Sequence, residues 1–284
     1  MSTVLKGKPT ADALDLDTSK RVEALKAKGV APCLAILRVG EREDDLAYER
    51  GALKRAEKNG VAVKQVLLPE DVTQEALLAA IDGLNKDDAV HGVLMFRPLP
   101  KHLDENEACE ALAPEKDVDG ITRGSMASIY SGKGAGFAPC TAESCIEILK
   151  YNGIEMSGKR AVVIGRSLVI GKPVAMLLMA NNATVTVCHS RTKDMPNVVK
   201  EADIVIACLG RAEMINKDYF APGQVVLDVG INWSEEKNKL VGDVAFDEVE
   251  PIVDAITPVP GGVGSGTTAV LIRHVVEAAE KATA

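Results

Sequence analysis

Apolar residues along the chain recur with two different periods. Short runs rich in β-branched residues are typical of buried strands, and they read CLAILRV, VAVKQVLL, VHGVLMF, AVVIG, TVTVC, DIVIACLG and VVLDVGI. Between them lie stretches with helical periodicity, which are REDDLAYERGALKRAEKNG, TQEALLAAIDGLNK, TAESCIEILKYNG and GKPVAMLLMANN. Because predicted strands and helices alternate along the chain, the pattern favours parallel βαβ units and predicts an α/β fold.

A glycine-rich stretch, SGKGAGFAPC at residues 131–140, interrupts this alternation. It precedes a helix that Thr141 is suited to cap. We therefore predict two domains, one over residues 1–138 and one over residues 139–266. The final segment, residues 267–284, is predicted to be a terminal helix that need not pack on the second domain.

Composition narrows the class of protein. With 284 residues, 46% of them hydrophobic, the chain has enough apolar surface for two domains. There are 41 acidic and 33 basic residues and no basic stripe, so we expect binding neither to nucleic acid nor to a membrane. The start, MSTVLKGKPT, has no signal-like apolar core, and VAMLLMA is too short to span a bilayer.

The distribution of cysteine and histidine indicates neither disulfides nor a metal site. The six cysteines are scattered without a CxxC pair, and none of the four histidines is paired at helical spacing. We expect reduced thiols in a cytoplasmic protein.

The stretch RAVVIGRSLVIGKPVAMLL has the order expected of a dinucleotide site. A buried strand ends at Gly165, a tight turn follows, and a helix begins near Ile170, so backbone N–H groups face a pyrophosphate position. The glycine spacing is G-x5-G rather than G-x-G-x-x-G. On this evidence alone, an ordinary strand-to-helix turn remains an equal alternative.

The end of the next strand favours NADP over NAD. NAD sites usually carry an acidic residue there, which binds the ribose 2′-hydroxyl. Here TVTVC is followed by HSRTKD, so Ser190 and Arg191 stand near that place, and Arg166 is within reach in the first turn. The alternative for Arg191 is a solvated surface charge.

Two further loops contain residues suited to a site. ITPVPGGVGSGTT (256–268) combines prolines and glycines beside a helix start, where the backbone can approach a flat ligand. PEKDVDGI (114–121) places two carboxylates and a glycine on a loop. An equally good explanation of Asp119 is a turn residue that caps its own loop.

Taken together, these stretches resemble the bifunctional methylenetetrahydrofolate dehydrogenase/methenyltetrahydrofolate cyclohydrolase family. The matching pieces occur in family order over nearly the whole chain, and they are YERGALKRAEKNGV, GVLMFRPLPKHLDENEA, PEKDVDGI, VIGRSLVIGKPVAMLL, DVGIN, VGDV and ITPVPGGVG. The resemblance implies an N-terminal folate-binding domain, a Rossmann-type NADP domain, a C-terminal helix that returns to the first domain, a substrate cleft between the domains, and a homodimer.

The resemblance also implies roles for particular residues. Tyr48 would line the folate cleft, Asp119 would bind the pterin edge, and the PVPGGVG loop, with Pro260, Gly261 and Gly262, would close around the substrate and the nicotinamide. The residues implied for NADP are Gly165, Arg166, Ser167, Ser190, Arg191 and Ile231.

The chain departs from the family pattern at the cyclohydrolase step. Family members use a Tyr-x-x-x-Lys pair on one helix face, with a glutamine that hydrogen-bonds the lysine. Here the lysine position is Ala52 and the glutamine position is Phe96. Alanine cannot transfer a proton, and phenylalanine cannot hold a lysine. Two members of one hydrogen-bonded unit are therefore replaced together.

Nearby cations are poor substitutes for the missing lysine. Lys54 is about 240° around the helix from Tyr48, and Arg55 lies about 10 Å farther along its axis. The arginine side chain also stays protonated, which makes it a poor base. Strand alternation predicts that Arg97 faces away from Phe96.

We therefore expect an NADP-dependent dehydrogenase of 5,10-methylenetetrahydrofolate whose cyclohydrolase step is weak or lost. Three alternatives remain open at this point. They are a fully bifunctional enzyme that uses a repositioned group, a shikimate-type dehydrogenase, and a non-catalytic protein that binds folate or NADP.

Overall fold

The computed structural model describes residues 2–283. The helices are α1 (Gly7–Ala27), α2 (Glu43–Asn59), α3 (Gln74–Lys86), α4 (Glu105–Ala111), α5 (Arg123–Ser131), α6 (Cys140–Tyr151), α7 (Gly171–Ala180), α8 (Met195–Lys200), α9 (Phe246–Val249) and α10 (Thr267–Ala282). The strands are β1 (Thr3–Val4), β2 (Cys33–Val39), β3 (Ala62–Leu68), β4 (Gly92–Met95), β5 (Arg160–Ile164), β6 (Thr184–Cys188), β7 (Ile204–Ala207), β8 (Val225–Asp228), β9 (Asn232–Ser234), β10 (Lys239–Val241) and β11 (Ala255–Ile256). Short 3-10 helices cover Pro114–Lys116, Lys217–Tyr219 and Val263–Ser265.

These elements form two compact units. One comprises residues 2–11 and 141–267 and contains a sheet of six strands. The other comprises residues 12–140 and 268–283 and contains a sheet of three strands. We call them the six-stranded unit and the three-stranded unit. Both sheets are parallel and associate with helices, which confirms the predicted α/β class.

The six-stranded unit has the strand order β1-β11-β8-β7-β5-β6. Its central strands are short apolar runs, and separate apolar clusters cover the sheet on its two faces. The chain crosses from β5 outward to β6 and then back past β5 to β7. The direction of strand order therefore reverses between β5 and β7, and ligands of open parallel sheets bind at the carboxyl ends of the strands at such a reversal.

Residues 2–11 belong to the six-stranded unit, whereas the sequence pattern predicted one domain over residues 1–138. The reason is strand pairing, because β1 lies parallel to β11 with Thr3 beside Ala255. Leu5 then packs in the core of that unit. A strand of two residues is too short to show a period of alternation, so β1 could not be predicted from the hydrophobic pattern.

In the three-stranded unit the strand order is β3-β2-β4. The central strand β2 is almost wholly buried and coincides with the predicted run CLAILRV. The terminal helix α10 packs in this unit, as the family resemblance implied, and its apolar face joins the core that holds Val22 and Leu34. Arg21 pairs with Glu280 at 2.6 Å and ties α1 to the end of α10.

Two smaller findings concern the first residue of helix α6 and the search for membrane-spanning helices. Helix α6 begins at Cys140, so Thr141 lies within its first turn instead of capping it. Among residues 2–283, no helix combines the length and the apolar character that crossing a lipid bilayer requires.

Candidate active site

Tyr48 lies on α2, and its ring meets the ring of Phe96 just after β4. The ring centroids are 5.9 Å apart and the planes are at 82°, which is an edge-to-face contact. Ala52 lies one turn after Tyr48, is completely buried, and belongs to the same apolar cluster as Phe96. The two positions that differ from the family pattern are therefore packed as core, beside the tyrosine that matches it.

Asp119 is partly buried on the loop after the 3-10 helix, and a neighbouring carboxylate performs the capping that this loop needs. Asp117 is fully buried, and its carboxylate accepts hydrogen bonds from Ile121 N at 3.0 Å, Thr122 N at 2.7 Å and Ser125 Oγ at 2.6 Å. The turn continues through Gly120, where φ is 67° and a Cβ would lie 2.5 Å from Pro139 N. Since Asp117 caps the loop, Asp119 is not required for that purpose.

The structure brings Tyr48 and Asp119 within electrostatic range of each other. Burial raises the pKa of the Tyr48 phenol well above its ordinary value, and the charge of Asp119 adds to this rise. Burial also raises the pKa of Asp119, while a hydrogen bond with the Cys140 thiol opposes the rise. The phenol therefore stays protonated at neutral pH, so Tyr48 is a hydrogen-bond donor and an aromatic surface but not a base.

Two residues that sequence reasoning missed, Cys140 and His274, contact the backbone carbonyl of Val118, the residue before Asp119. The Nδ1 atom of His274 is 2.8 Å from the carbonyl oxygen of Val118, and the Cys140 thiol donates to the same oxygen at 3.3 Å. The His274 ring also packs against Phe137, with 4.8 Å between centroids. A buried cysteine after a glycine-rich loop was a weak signal for Cys140, and nothing in the helical pattern distinguished His274.

The cations near α2 have other partners or face away. The guanidinium of Arg55 donates to both carboxylate oxygens of Asp15, at 3.0 and 2.9 Å. Lys54 is exposed on the outer side of α2. Arg97 lies 3.9 Å from the carboxylate of Glu105, although its charge still lowers the pKa of Asp119.

The residues predicted to bind the cofactor, and those of the loop predicted to close around the substrate and the nicotinamide, lie at the carboxyl edge of the sheet in the six-stranded unit. Because β5, β6, β7, β8 and β11 are parallel, the segments that follow them share this edge. These residues are Gly165, Arg166 and Ser167 after β5, Ser190 and Arg191 after β6, Ile231 after β8, and Pro260, Gly261 and Gly262 after β11. The topology thus groups residues that are up to 97 positions apart in the sequence.

Gly165 ends β5 where the backbone is tightly packed. Its φ is 132°, and a Cβ there would lie 2.4 Å from the carbonyl oxygen of Cys208, on the loop after β7. A Cβ at Gly171, the first residue of α7, would lie 2.4 Å from the carbonyl oxygen of Gly165. The glycines therefore let strand, turn and helix approach closely at the reversal point, as a dinucleotide turn requires.

One exposed side chain of the turn, that of Ser167, has a structural role. Ser167 Oγ accepts hydrogen bonds from Ile170 N at 3.1 Å and Gly171 N at 3.3 Å, so the hydroxyl supports the start of α7. Arg166, Ser190 and Arg191 are exposed. The five residues after β6, HSRTK, contain no acidic residue. This donor set fits a dinucleotide that carries a 2′-phosphate.

The loop after β11 is held to neighbouring backbone. Gly7 N donates to Gly261 O at 2.8 Å, and a Cβ at Gly262 would lie 2.5 Å from Pro258 O. A Cβ at Gly264 would lie 3.5 Å from the side chain of Ile231, so this loop borders the segment after β8. Ile231 itself is 64% exposed, which leaves an apolar side chain available for contact at this edge.

Two buried carboxylates at the same edge were missed by sequence reasoning, although their motifs, DVGIN and VGDV, were recognised. Asp228 ends β8 and accepts from Gly230 N, Asp243 N and Val244 N at 3.0, 3.0 and 2.9 Å. Burial raises the pKa of Asp228 to about 7. Asp243 is completely buried beside it. Over residues 2–283 there is neither a disulfide nor a cluster of His, Cys, Asp and Glu side chains suited to a metal ion.

Comparison with protein families finds two matches that together cover most of the chain. Residues 5–119 match the catalytic domain of tetrahydrofolate dehydrogenase/cyclohydrolase, and residues 139–283 match its NAD(P)-binding domain. A relative named bifunctional protein FolD, from Carboxydothermus hydrogenoformans, is 53% identical over 281 residues, which is 99% of this chain and 98% of that protein.

Solved structures agree with this result. The bifunctional FolD methylenetetrahydrofolate dehydrogenase/cyclohydrolase from Campylobacter jejuni has a TM-score of 0.95 and 38% identity, covering 99% of both chains. The Trypanosoma brucei methylenetetrahydrofolate dehydrogenase-cyclohydrolase, which was solved with NADP and an inhibitor, has a TM-score of 0.90 and 34% identity. It covers 99% of this chain and 98% of its own.

Proposed function

The chain belongs to the tetrahydrofolate dehydrogenase/cyclohydrolase family, and from this premise we propose that it is an NADP-dependent 5,10-methylenetetrahydrofolate dehydrogenase that lacks an effective cyclohydrolase step. Membership in the family agrees with the prediction made from the sequence motifs. The loss of the second activity is specific to this chain and rests on Tyr48, Ala52 and Phe96.

Oxidation of methylenetetrahydrofolate by hydride transfer does not require a proton-transferring side chain of the protein. When bound, NADP supplies the hydride acceptor, and the requirement on the chain is orientation in a dry site. Asp119 is suited to bind the pterin edge, because it is partly buried and Asp117 already caps the loop. Tyr48 offers an aromatic face and a protonated hydroxyl next to it. These features are sufficient to orient a substrate for hydride transfer.

The preference for NADP follows from charge at the carboxyl edge of the six-stranded unit. Arg166 and Arg191 are exposed there, and the five residues directly after β6, HSRTK, include no carboxylate that would repel a 2′-phosphate. The T. brucei enzyme was solved with NADP. We propose that Gly165 admits the pyrophosphate and that Arg166, Ser190 and Arg191 bind the 2′-phosphate.

The hydrolytic step has a requirement that this site does not meet. Adding water to the methenyl carbon needs a group that removes a proton from the water as the bond forms. The position one turn after Tyr48 is a buried alanine, and the position that would support a lysine is a phenylalanine in contact with the tyrosine ring. The apolar contact between Tyr48 and Phe96 is the single observation that carries the proposal.

The alternative, a fully bifunctional enzyme, is favoured by the names of the relatives, which are called bifunctional. It requires a substitute base near Tyr48. Arg55 is engaged by Asp15 and Lys54 faces outward. The imidazole of His274 is buried, with Nδ1 directed at Val118 O. None of these groups is placed to activate water beside the tyrosine.

The test is to identify the product that accumulates. Purified protein is incubated with 5,10-methylenetetrahydrofolate and NADP, and both NADPH and the folate products are followed with time. The proposal predicts NADPH formation with methenyltetrahydrofolate accumulating, and 10-formyltetrahydrofolate appearing at the spontaneous rate. Formyl product that keeps pace with NADPH would support the bifunctional alternative. Absence of NADPH would support a non-catalytic binding protein, and shikimate in place of folate tests the remaining dehydrogenase class.

We also propose that the chain acts as a homodimer in the cytoplasm and that the three-stranded unit carries the folate site. The dimer is implied by the family resemblance. A hairpin of β9 and β10 leaves Trp233 60% and Leu240 38% exposed on paired positions, which is an apolar surface suited to contact with a partner. Sedimentation equilibrium tests the dimer, and a Trp233→Glu variant that sediments as a monomer would place the interface at this hairpin.

A further inference from the structure

Asp243 lies at the carboxyl edge of the six-stranded unit and is not one of the residues proposed to contact NADP or the folate. It follows β10 and is completely buried. A carboxylate without hydrogen-bond partners would be costly at such a position. The partners that satisfy it therefore show what it organises.

Four donors converge on this carboxylate. Three are consecutive backbone amides of the loop after β7, from Leu209, Gly210 and Arg211, and the last two lie at 3.0 and 2.8 Å. The fourth is the side-chain amide of Asn232, at 3.0 Å. Gly210 has φ of 67°, so the loop turns sharply to present its amides to one acceptor.

These contacts join two segments that border the dinucleotide turn. The loop after β7 begins at Cys208, whose carbonyl oxygen is the atom that a Cβ on Gly165 would strike. Asn232 directly follows Ile231, which is exposed at the same edge. A Cβ at Gly230 would lie 2.3 Å from Asp243 Oδ1, so the carboxylate also fills the space under the segment after β8. Asp243 thus fixes the loops after β7 and β8, which are neighbours on one side of the strand-order reversal.

We propose that Asp243 is a positioning residue for the cofactor, because its carboxylate locks the loops after β7 and β8 into the one conformation that accepts the dinucleotide. The inference rests on the proposed NADP site. Asp243 directs the amides of residues 209–211 inward, so these amides are not phosphate ligands, and the pyrophosphate is left to the turn at Gly165. The loops after β7 and β8 are then ordered before the cofactor binds, which lowers the entropic cost of binding.

The decisive variant is Asp243→Asn, compared with Asp247→Asn. Asparagine has nearly the same shape as aspartate, but an NH2 group replaces one of the two carboxylate oxygens. This group is a hydrogen-bond donor, and it would face backbone N–H groups that are also donors. Asp247 is an exposed aspartate in the same unit, so its variant controls for the change in net charge. NADP binding is measured by titration calorimetry, and the Michaelis constants for NADP and for methylenetetrahydrofolate are measured separately.

We expect Asp243→Asn to weaken NADP binding about ten-fold or more, the effect of losing one charge-assisted hydrogen bond. The Michaelis constant for the folate should change by less than about two-fold, since Tyr48 and Asp119 lie in the other unit and Asp243 has no hydrogen bond to the loop of Pro260–Gly262. Trp233 is the only tryptophan in the chain and adjoins Asn232, so its fluorescence in the cofactor-free protein should shift in this variant. Asp247→Asn should change none of these quantities.

Two further variants keep the test informative if Asp243→Asn is unstable. Asn232→Ala removes one of the four donors and should weaken NADP binding by a smaller factor. Asp243→Asn combined with Asn232→Asp restores a carboxylate–amide pair with the partners exchanged, and it should recover part of the lost affinity.

The outcomes separate this inference from the function on which it rests. Wild-type protein that does not bind NADP would contradict the proposed cofactor. Wild-type protein that binds NADP, with unchanged affinity in both Asp243→Asn and Asn232→Ala, would overturn the role of Asp243 alone. An equal loss of folate and NADP affinity would also overturn it, because that pattern indicates general destabilisation.

Discussion

The edge of the Tyr48 ring faces the ring of Phe96, with 5.9 Å between the centroids and 82° between the planes. In the family pattern the second of these positions is a polar residue that supports a lysine near the tyrosine. Here an aromatic pair closes that space, and Ala52 completes the apolar contact. The tyrosine is therefore retained, whereas alanine occupies the lysine position of the family pattern.

The first prediction concerns what remains of the role of Tyr48. If it acts as an aromatic surface, Tyr48→Phe should keep the dehydrogenase kcat/KM within about three-fold, because the ring contact with Phe96 survives. Tyr48→Ala removes that contact and should raise the Michaelis constant for the folate about ten-fold or more. Steady-state kinetics at saturating NADP measures both effects. A Tyr48→Phe variant as impaired as Tyr48→Ala would mean that the hydroxyl is essential.

A second prediction separates the two aspartates of the DVDG loop. Asp117→Asn should lower the free energy of unfolding by about 2 to 3 kcal/mol, because the fully buried carboxylate accepts three hydrogen bonds. Asp119→Asn should leave stability within about 0.5 kcal/mol but lower kcat/KM for the folate about a hundred-fold. Chemical denaturation and kinetics on the two variants check this, and the reverse assignment would remove Asp119 from the site.

A third prediction concerns cofactor choice. Arg191→Ala should raise the Michaelis constant for NADP about ten-fold and leave that for NAD nearly unchanged, because only NADP carries the 2′-phosphate. Arg160→Ala is the matched control, since Arg160 begins β5 at the opposite, amino edge of the sheet. Equal effects of Arg191→Ala on NADP and NAD would show that the arginine does not contact the 2′-phosphate.

A fourth prediction follows from the raised pKa of Asp228. Burial raises this pKa from an ordinary value of 3.8 to about 7 in the folded protein. Because the folded-state value is the higher one, the protonated side chain stabilises the fold fully below pH 3.8, and this contribution is lost as the pH rises through about 7. Asp228→Asn has no such titration, so the stability of wild type relative to this variant should fall with rising pH.

The slope of that decline should approach about 1.4 kcal/mol per pH unit between the two pKa values. Denaturant unfolding of both proteins at a series of pH values gives the difference directly. A difference that does not change between pH 4 and pH 8 would show that Asp228 titrates alike in the folded and unfolded chain.

The sequence predicted elements well where one physical signal was strong. The run CLAILRV is β2 to the residue, because a central parallel strand is apolar on both faces. The predicted helix α2 ends at Asn59, and Gly60 directly after it adopts φ of 72° as a helix-terminating glycine does. Elements without such a signal were missed, among them β1 and β11, which have two residues each and exist only because they pair with one another and with β8.

Functional residues divide in the same way. Tyr48, Asp119 and the glycines of the turn matched motifs, so the family pattern pointed to them. Asp117 and Asp243 could not be ranked from the sequence, because what distinguishes them is the set of backbone amides that the fold brings to each carboxylate. The role of Phe96 could be predicted only in part. The sequence shows that the glutamine of the family pattern is absent, but the ring contact with Tyr48 depends on how β4 and α2 pack.

The central claim, that this site cannot deliver water to the methenyl carbon, is tested most directly by the rate at which purified wild-type protein hydrolyses 5,10-methenyltetrahydrofolate. The rate is measured against spontaneous hydrolysis in the same buffer and against the variant that combines Ala52→Lys with Phe96→Gln. We predict a wild-type rate indistinguishable from the spontaneous one and a measurable gain in the double variant. A wild-type rate well above the spontaneous rate, at protein concentrations that support NADPH formation, would contradict the account.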